Sequence, residues 1–410
     1  MEPLQIKAQI DGSDGSPQSP YPRWARLRAS DPVHWHERAE VWVLTRHADI
    51  SRALRDRRLG NQYLHKLFEK LAPQAQERFA PMQRSLQLWL LYRDPPDHTR
   101  VRSLLAQAFT HKVLQGMRPA IEETVGELLD KVAPRGGRME LIEDLAYPLP
   151  IIVTAALLGA PAGEREQFKH WADELARLLG HHRADEAKAE AAFAVWGEMN
   201  EYFRRLADER RREPRNDLIS AMVAAEEQGS RLTPEELLSS CAAVLYAGSE
   251  TTTHLIANSV LALLAHPEQR AWLQEDLAGR MEGAVEEFLR YDAPTQAATR
   301  IATEDLEVGG KPIRKGQGVI AMLGAANRDP EVFARPDDLL LSRSREENPH
   351  LAFSLGPHYC LGAPLARLEG QVALAALLSR FPHLRCGADR LEWLRNPTIR
   401  GVNALPLELG

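Results

Sequence analysis

Residues 350–364 read His350-Leu351-Ala352-Phe353-Ser354-Leu355-Gly356-Pro357-His358-Tyr359-Cys360-Leu361-Gly362-Ala363-Pro364. They lead into a helical pattern whose apolar stripe is Leu365, Leu368, Val372 and Ala375, spaced for one helix face. A cysteine just ahead of a helix meets unbonded amides and the positive end of the dipole. Both favour thiolate over thiol, and the glycines let backbone approach the sulfur. The expected product is a soft anionic ligand, suited to a metal or to nucleophilic work; a buried inert cysteine in a loop is the plainer reading. Structural zinc takes three or four protein ligands, and only His350 and His358 lie nearby. A cysteine hydrolase needs a base that the sequence does not place.

Working outward, Thr233-Pro234-Glu235-Glu236 is a capping box with proline at the first helical position. The next breaker is Pro267, so about 32 residues can be continuous, roughly 48 Å at 1.5 Å each. From Leu237 to His266 the one formal charge is Glu250, inside Ala247-Gly248-Ser249-Glu250-Thr251-Thr252-Thr253. Glycine and threonine cost some tenths up to about 1 kcal/mol each in a helix relative to alanine. Local preference thus conflicts with the helix where an acid sits, as happens at functional or strained sites. The plain alternative is a solvated groove with threonines bonding back to the preceding turn.

The 410-residue chain has room for two or three domains at the usual ~150 residues each, or for one large enzyme. Lys plus Arg number 51 against 57 Asp plus Glu, a net charge of −6, without a basic block; this argues against nucleic acid as a partner. Hydrophobic residues at 44% and charged ones at 26% are those of a folded globular chain. Three scattered cysteines, Cys241, Cys360 and Cys386, make no disulfide framework and suggest a reducing, cytoplasmic setting. Met1-Glu2-Pro3-Leu4-Gln5 resembles no secretion signal. Leu145 to Gly163 is uncharged, but Pro148, Pro150 and Pro161 interrupt it, so it is expected as a buried helix over Ile151–Ala160 and not as a membrane span. G-x-S-x-G, HExxH, phosphate-loop and dinucleotide-binding signatures are absent, as are clustered iron–sulfur cysteines.

Strand-like pieces are expected at Val33–Trp35, Val41–Leu44, Thr299–Ala302, Leu306–Val308 with Gly309-Gly310 as turn, and Val319–Met322. Helical spacing dominates from Ile50 to Arg290, and an irregular stretch rich in Pro, Asp and Arg covers Asn327 to His358. The expected fold is mainly α with minor β-sheets: an N-terminal lead-in over residues 1–21, then a single catalytic domain over 22–410.

Four segments, in order from about residue 20 to the C-terminus, resemble the cytochrome P-450 family of haem-thiolate monooxygenases. Phe353, Gly356, Cys360 and Gly362 fit its F-x-x-G-x-x-x-C-x-G pattern, and Ala247 to Thr251 fit its central-helix run of small residues, acid and alcohol. Glu287-Phe288-Leu289-Arg290 fits E-x-x-R, a weak motif alone. Asp94-Pro95-Pro96-Asp97-His98-Thr99-Arg100-Val101-Arg102 looks like the start of the family's C helix, with His98 and Arg102 one turn apart. Ser354 stands where bacterial members often carry glycine.

The resemblance implies haem b with Cys360 as axial thiolate, Phe353 shielding the sulfur and amides near Gly362 donating to it. It implies His98, Arg102, Arg300 and His358 as partners of the haem propionates, and Glu287 with Arg290 as a structural ion pair joined by Arg343 in preference to Arg335. Thr251 would be the hydrogen-bond donor and Glu250 the proton relay of dioxygen cleavage. Substrate contacts would come from Met82 to Leu90, Ala242, Leu245, Thr295, Gln296, Ala297, Ile399 and Arg400; most are apolar, so a hydrophobic or amphipathic small molecule is expected, and an inward Arg400 would hint at an oxygen-rich or carboxylated one. Glu164 to Arg211 would form a mobile cover with Gly180-His181-His182 at its turn.

The resemblance also implies a ferredoxin and ferredoxin reductase as electron donors, with Arg102, Lys112 and Arg345 as a docking patch, and a role in natural-product biosynthesis. Two other readings share the haem: a peroxygenase using hydrogen peroxide, whose members replace the acid–alcohol pair present here, and a non-catalytic haem sensor or carrier.

Overall fold

The structure, a computed structural model, describes residues 1–12, 19–179, 185–227 and 232–410. The chain divides into two compact units, neither contiguous. The first takes Met1–Leu59, Met117–Leu149 and Thr251–Gly410; the second takes Gly60–Gly116 and Pro150–Glu250.

The strands are β1 (Val33–His36), β2 (Val41–Leu44), β3 (Leu59–Gly60), β4 (Arg138–Glu140), β5 (Ala298–Ala302), β6 (Leu306–Val308), β7 (Lys311–Ile313), β8 (Gly318–Ala321), β9 (Arg385–Cys386) and β10 (Pro406–Glu408). They form a five-stranded sheet in the order β1-β2-β8-β5-β3, a three-stranded sheet β4-β10-β9 and the hairpin β6-β7. The strands read from alternation are there, and Gly309 and Gly310 turn the hairpin with φ of 56° and 78°, a conformation glycine adopts without steric cost. The pairing Val33↔Leu44 puts two apolar side chains into a cluster with Ile50, Leu54, Ile313, Val319 and Leu351. Each such side chain removed from water is worth about 1.5–3 kcal/mol. The very short β3, β4, β9 and β10 carry no alternation long enough to read. In the N-terminal stretch, Pro3–Asp11 is a helix burying Ile6 and Ile10, and it belongs to the first unit.

Helices make up most of the rest. The long one spans Pro234–Ala265 without a break. Its capping box closes as expected: Thr233 N–H donates to Glu236 Oε2 at 2.9 Å, and Glu236 N–H to Thr233 Oγ1 at 3.2 Å. Glu236 also accepts from Arg93 at 2.7 Å and Arg100 at 2.6 Å. Burial pushes this carboxyl up, but hydrogen bonds from Arg100, the Thr233 amide and Arg93 hold it down at about 2. The apolar helix runs over Pro148–Leu158, three residues earlier than expected at its start, because prolines in a first turn forfeit amides that have no partner there anyway. Among the described residues no helix is long and apolar enough to cross a membrane.

The charged stretch after Glu164 forms the helices Arg165–Leu179 and Glu186–Arg212, closed by Phe168, Trp171, Tyr202 and Phe203 with ring centroids 5.4–6.2 Å apart. Gly180, His181 and His182 lie outside the described residues.

The irregular stretch 327–358 is held from the helix Leu277–Tyr291. Arg290 donates to both Glu287 oxygens at 2.8 Å and to the carbonyls of Asn327, Pro336 and Asp338 at 3.1, 2.6 and 2.7 Å. Arg343 donates to Glu287 at 3.1 Å and to Ala334 O at 3.0 Å, and Leu340 N–H to Glu287 at 2.9 Å. Arg335 instead pairs with Asp338 on the surface. Both Glu287 and Arg290 are fully buried, so truncating one strands the other. Glu287→Ala is expected to cost about 3–5 kcal/mol and Arg335→Ala about 0.5 or less, as read from urea unfolding midpoints.

Candidate active site

The loop before Cys360 is shaped by its backbone. Ser354 and Gly356 adopt φ of 62° and 70°. A Cβ on Gly356 would stand 2.6 Å from the Leu54 carbonyl oxygen, so glycine is needed there both for conformation and for space. The chain then makes the short turn Gly356–His358, and Cys360 N–H donates to Phe353 O at 2.9 Å. The helix Ala363–Arg380 follows at once, with Gly362 as its N-cap and Pro364 in its first turn. Cys360 is exposed, whereas Cys241 and Cys386 are buried. Burial pushes the Cys241 thiol far up, which leaves it inert.

In the long helix, Gly248 admits Thr154 of the neighbouring apolar helix, whose Oγ1 would lie 2.7 Å from an added Cβ. Ser249 Oγ donates back to Leu245 O at 2.9 Å. The small-residue run therefore serves close packing within the second unit, and the helix stays continuous through it. Glu250 follows, its carboxyl raised to about 7 by burial first and the Asp173 carboxylate second. It changes charge near neutrality, as a group that moves protons at that pH must. Thr251 is the next residue, half-buried.

His98 and Arg102 lie in the helix Asp97–Leu105. Burial, then the Arg102 charge, lowers the His98 imidazole to about 4 despite Asp94, so it is neutral at pH 7. Arg300 is buried on β5, with Nη1 donating to Thr299 O at 2.8 Å, and His358 is half-buried in the turn before the cysteine.

Of the residues expected at a substrate, Met82, Ala242, Leu245 and Ala297 are buried, and Leu90, Thr295 and Ile399 partly so; Thr295 and Ile399 share a β-bridge. The Arg400 guanidinium donates to Asp292 Oδ1 at 2.7 Å and Ile10 O at 3.1 Å, and lies 3.8 Å from the centre of the Trp393 ring, the pairing that a buried charge needs. The Gln296 side chain is buried, donates to Ala293 O at 2.5 Å and lies where a Cβ on Gly324 would stand.

Sequence reasoning missed a second charged cluster beside the cysteine loop, Glu286 with Arg367 and His350. Glu286 adjoins Glu287, and only its partners, distant in sequence, set it apart from a surface acid.

A family model described as cytochrome P-450 matches residues 59–397. The chain belongs to the cytochrome P-450 family. It is 41% identical over 396 residues to the cytochrome P-450 monooxygenase PikC of Streptomyces venezuelae, covering 95% of this chain and 90% of that one. To the vitamin D(3) 25-hydroxylase of Pseudonocardia autotrophica it is 38% identical, over 96% of this chain and 94% of that one. Among solved structures it resembles cytochrome P-450 BioI in complex with an acyl carrier protein bearing hexadec-9Z-enoic acid, with TM-score 0.86, 36% identity and 95% and 98% coverage. A myxobacterial member in complex with myristic acid has TM-score 0.85, 40% identity and 97% and 98% coverage. The chain is thus a haem-thiolate monooxygenase, with the mainly α fold expected.

The residues present fit a haem. Cys360 is an exposed residue at a helix start, and a Cβ on Gly362 would meet nothing within 4 Å, so a group from outside the chain can come close.

Two predictions follow from local geometry. Ser354 holds a left-handed φ, and among the described residues its buried hydroxyl has no hydrogen-bond partner; Ser354→Gly removes both costs and is expected to stabilise by about 1–2 kcal/mol, read as a raised melting temperature. Glu250 titrates near 4.5 when unfolded and at about 7 when folded. Between those values the folded state keeps a proton that the unfolded state has lost, so stability falls as pH rises through that window and stays reduced above it. Glu250→Gln is expected to abolish the fall, with a higher urea midpoint than wild type at pH 8 and an equal one below pH 4.5.

Proposed function

We propose that Cys360 is the axial ligand and that Glu250 and Thr251 supply protons for inserting one oxygen atom of O2 into a hydrophobic or amphipathic small molecule. The observation that carries this reading is the exposed cysteine at a helix start inside the family's own pattern, in a chain whose two other cysteines are buried. The helix start at Ala363 favours the thiolate through its dipole, and the Cys360 amide is fixed to Phe353 O. His98, Arg102, Arg300 and His358 bind the propionates; His98, neutral at pH 7, acts there as a hydrogen-bond partner and the arginines as charges. When bound, the haem supplies the electron transfer and O–O cleavage that no side chain can perform.

Proton delivery falls to the chain. The Glu250 carboxyl exchanges its proton near neutral pH, and the adjacent Thr251 hydroxyl donates into the site while Glu250 is recharged from solvent. The residues that the family resemblance assigns to substrate, Met82, Leu90, Ala242, Leu245, Thr295, Ala297 and Ile399, are apolar apart from Thr295, which favours an apolar substrate. With Arg400 paired to Asp292, selectivity for a carboxylate is not assigned to it. Relatives crystallised with a fatty acid and with an acyl carrier protein bearing a fatty acyl group support a long apolar substrate, the polyketide-biosynthesis relative of Bacillus subtilis supports a biosynthetic setting, and the three scattered cysteines support a reducing, cytoplasmic one. Electrons come from a ferredoxin and its reductase, with Arg102 and the exposed Arg345 in the docking patch; the Lys112 side chain lies outside the described residues. The acid–alcohol pair favours O2 over hydrogen peroxide as oxidant.

The reduced, carbon-monoxide-treated holoenzyme is expected to show a thiolate-type Soret band that Cys360→Ser lacks; a band unchanged in the variant would refute the ligand. Thr251→Ala is expected to lower product formed per reductant consumed severalfold, with matching release of hydrogen peroxide. Unchanged coupling would remove Thr251 from proton delivery.

A further inference from the structure

The loop that ends at Cys360 is strained at Ser354, which has a positive φ and a buried hydroxyl without a partner among the described residues. Such a conformation persists only where surrounding groups over-determine it. One such group, touching the loop at Phe353 and Tyr359, is Arg367, on the helix Ala363–Arg380 that follows the cysteine. Its Nε and Nη2 donate to the two oxygens of Glu286 at 2.6 and 2.8 Å, and its Nη1 donates to Tyr359 Oη at 3.1 Å. The Cζ of the same guanidinium lies over the Phe353 ring, 4.5 Å from its centre. Glu286 is also bonded to His350 Nε2 at 3.1 Å. His350 and Tyr359 stand 6.2 and 6.4 Å from Phe353, centre to centre. The start, middle and end of the segment 350–359 are thereby fixed to one carboxylate–guanidinium pair, and Phe353 in turn carries the carbonyl that receives the Cys360 amide.

We propose that Arg367 is a positioning residue for the Cys360 thiolate, holding its loop in the ligating conformation through the fork and the flat face of the guanidinium and not through charge alone. This inference rests on the assignment of Cys360 as axial ligand. A lysine would keep the charge but would lack the paired donors to Glu286, the third donor to Tyr359 and the planar face against Phe353. A simple surface ion pair would tolerate it.

The test compares holoenzymes of wild type, Arg367→Lys, Arg367→Gln and Tyr359→Phe by two readouts: the lifetime of the thiolate-type band of the reduced carbon monoxide complex, and the rate of haem transfer to apomyoglobin. Both Arg367 variants are expected to lose the thiolate-type band and release haem severalfold faster than wild type, lysine lying nearer glutamine than wild type, and Tyr359→Phe is expected to show a smaller change in the same direction. A lysine variant indistinguishable from wild type would overturn the proposal in favour of charge alone. Variants that melt earlier yet keep band lifetime and haem transfer unchanged would overturn it in favour of ordinary stabilisation. If neither Arg367 variant folds, Tyr359→Phe decides by itself, since it removes one exposed oxygen, and unaltered values in it would overturn the proposal. A wild-type enzyme without a thiolate-type band is a different result, for it refutes the ligand assignment before any variant is compared.

Discussion

The buried carboxylate of Glu287 is the interaction on which the rest of the first unit depends. A stretch of some thirty residues, 327–358, must be fixed although it has almost no helix or strand of its own, and so nearly none of its backbone groups find partners in a regular ladder. Glu287 and Arg290 solve this together: the carboxylate collects Arg343 and the Leu340 amide, and the guanidinium collects three carbonyls. Neither charge is tolerable in the interior without the other. The same helix carries Glu286 on to Arg367 and His350, so adjacent acids fix the irregular stretch and the cysteine loop that grows out of it.

Burial sets the chemistry of the polar residues. It raises the Glu250 carboxyl to about 7 and lowers the His98 imidazole to about 4. Charged forms lose more than neutral ones on leaving water. An acid that in water would be ionised becomes a group able to take up and release a proton under working conditions, and a histidine becomes a neutral hydrogen-bonding group beside a permanent cation. Neither needs an unusual residue; each needs only its place in the fold.

How much of this was legible in the sequence depended on whether the signal was local. The long helix was readable from Thr233 to Pro267 because its cap and its breaker are local, and it runs over Pro234–Ala265. Strands β1, β2, β5 and β8 were readable from alternation and β6 with the Gly309-Gly310 turn beside it, whereas β3 and β9, two residues each, are too short to alternate. Residue identity pointed to Cys360 and Glu250. It could not say that Arg400 pairs with Asp292 or that the Gln296 side chain is buried, since Asp292 is distant in sequence and a side chain's direction is a tertiary property. The departure at Ser354 was visible as a missing glycine, but its meaning, a left-handed φ with a buried hydroxyl, belongs to the structure. The Glu286–Arg367–His350 cluster left no local trace at all.

The central claim is that the Cys360 sulfur is bonded to the haem iron. X-ray absorption at the iron edge, on the ferric holoenzyme and on Cys360→Ser reconstituted with haem, tests it most directly. The account predicts a sulfur scatterer at bonding distance in the wild type that is absent from the variant. A first coordination shell of nitrogen and oxygen alone in the wild type, or a sulfur shell that survives the substitution, would contradict it.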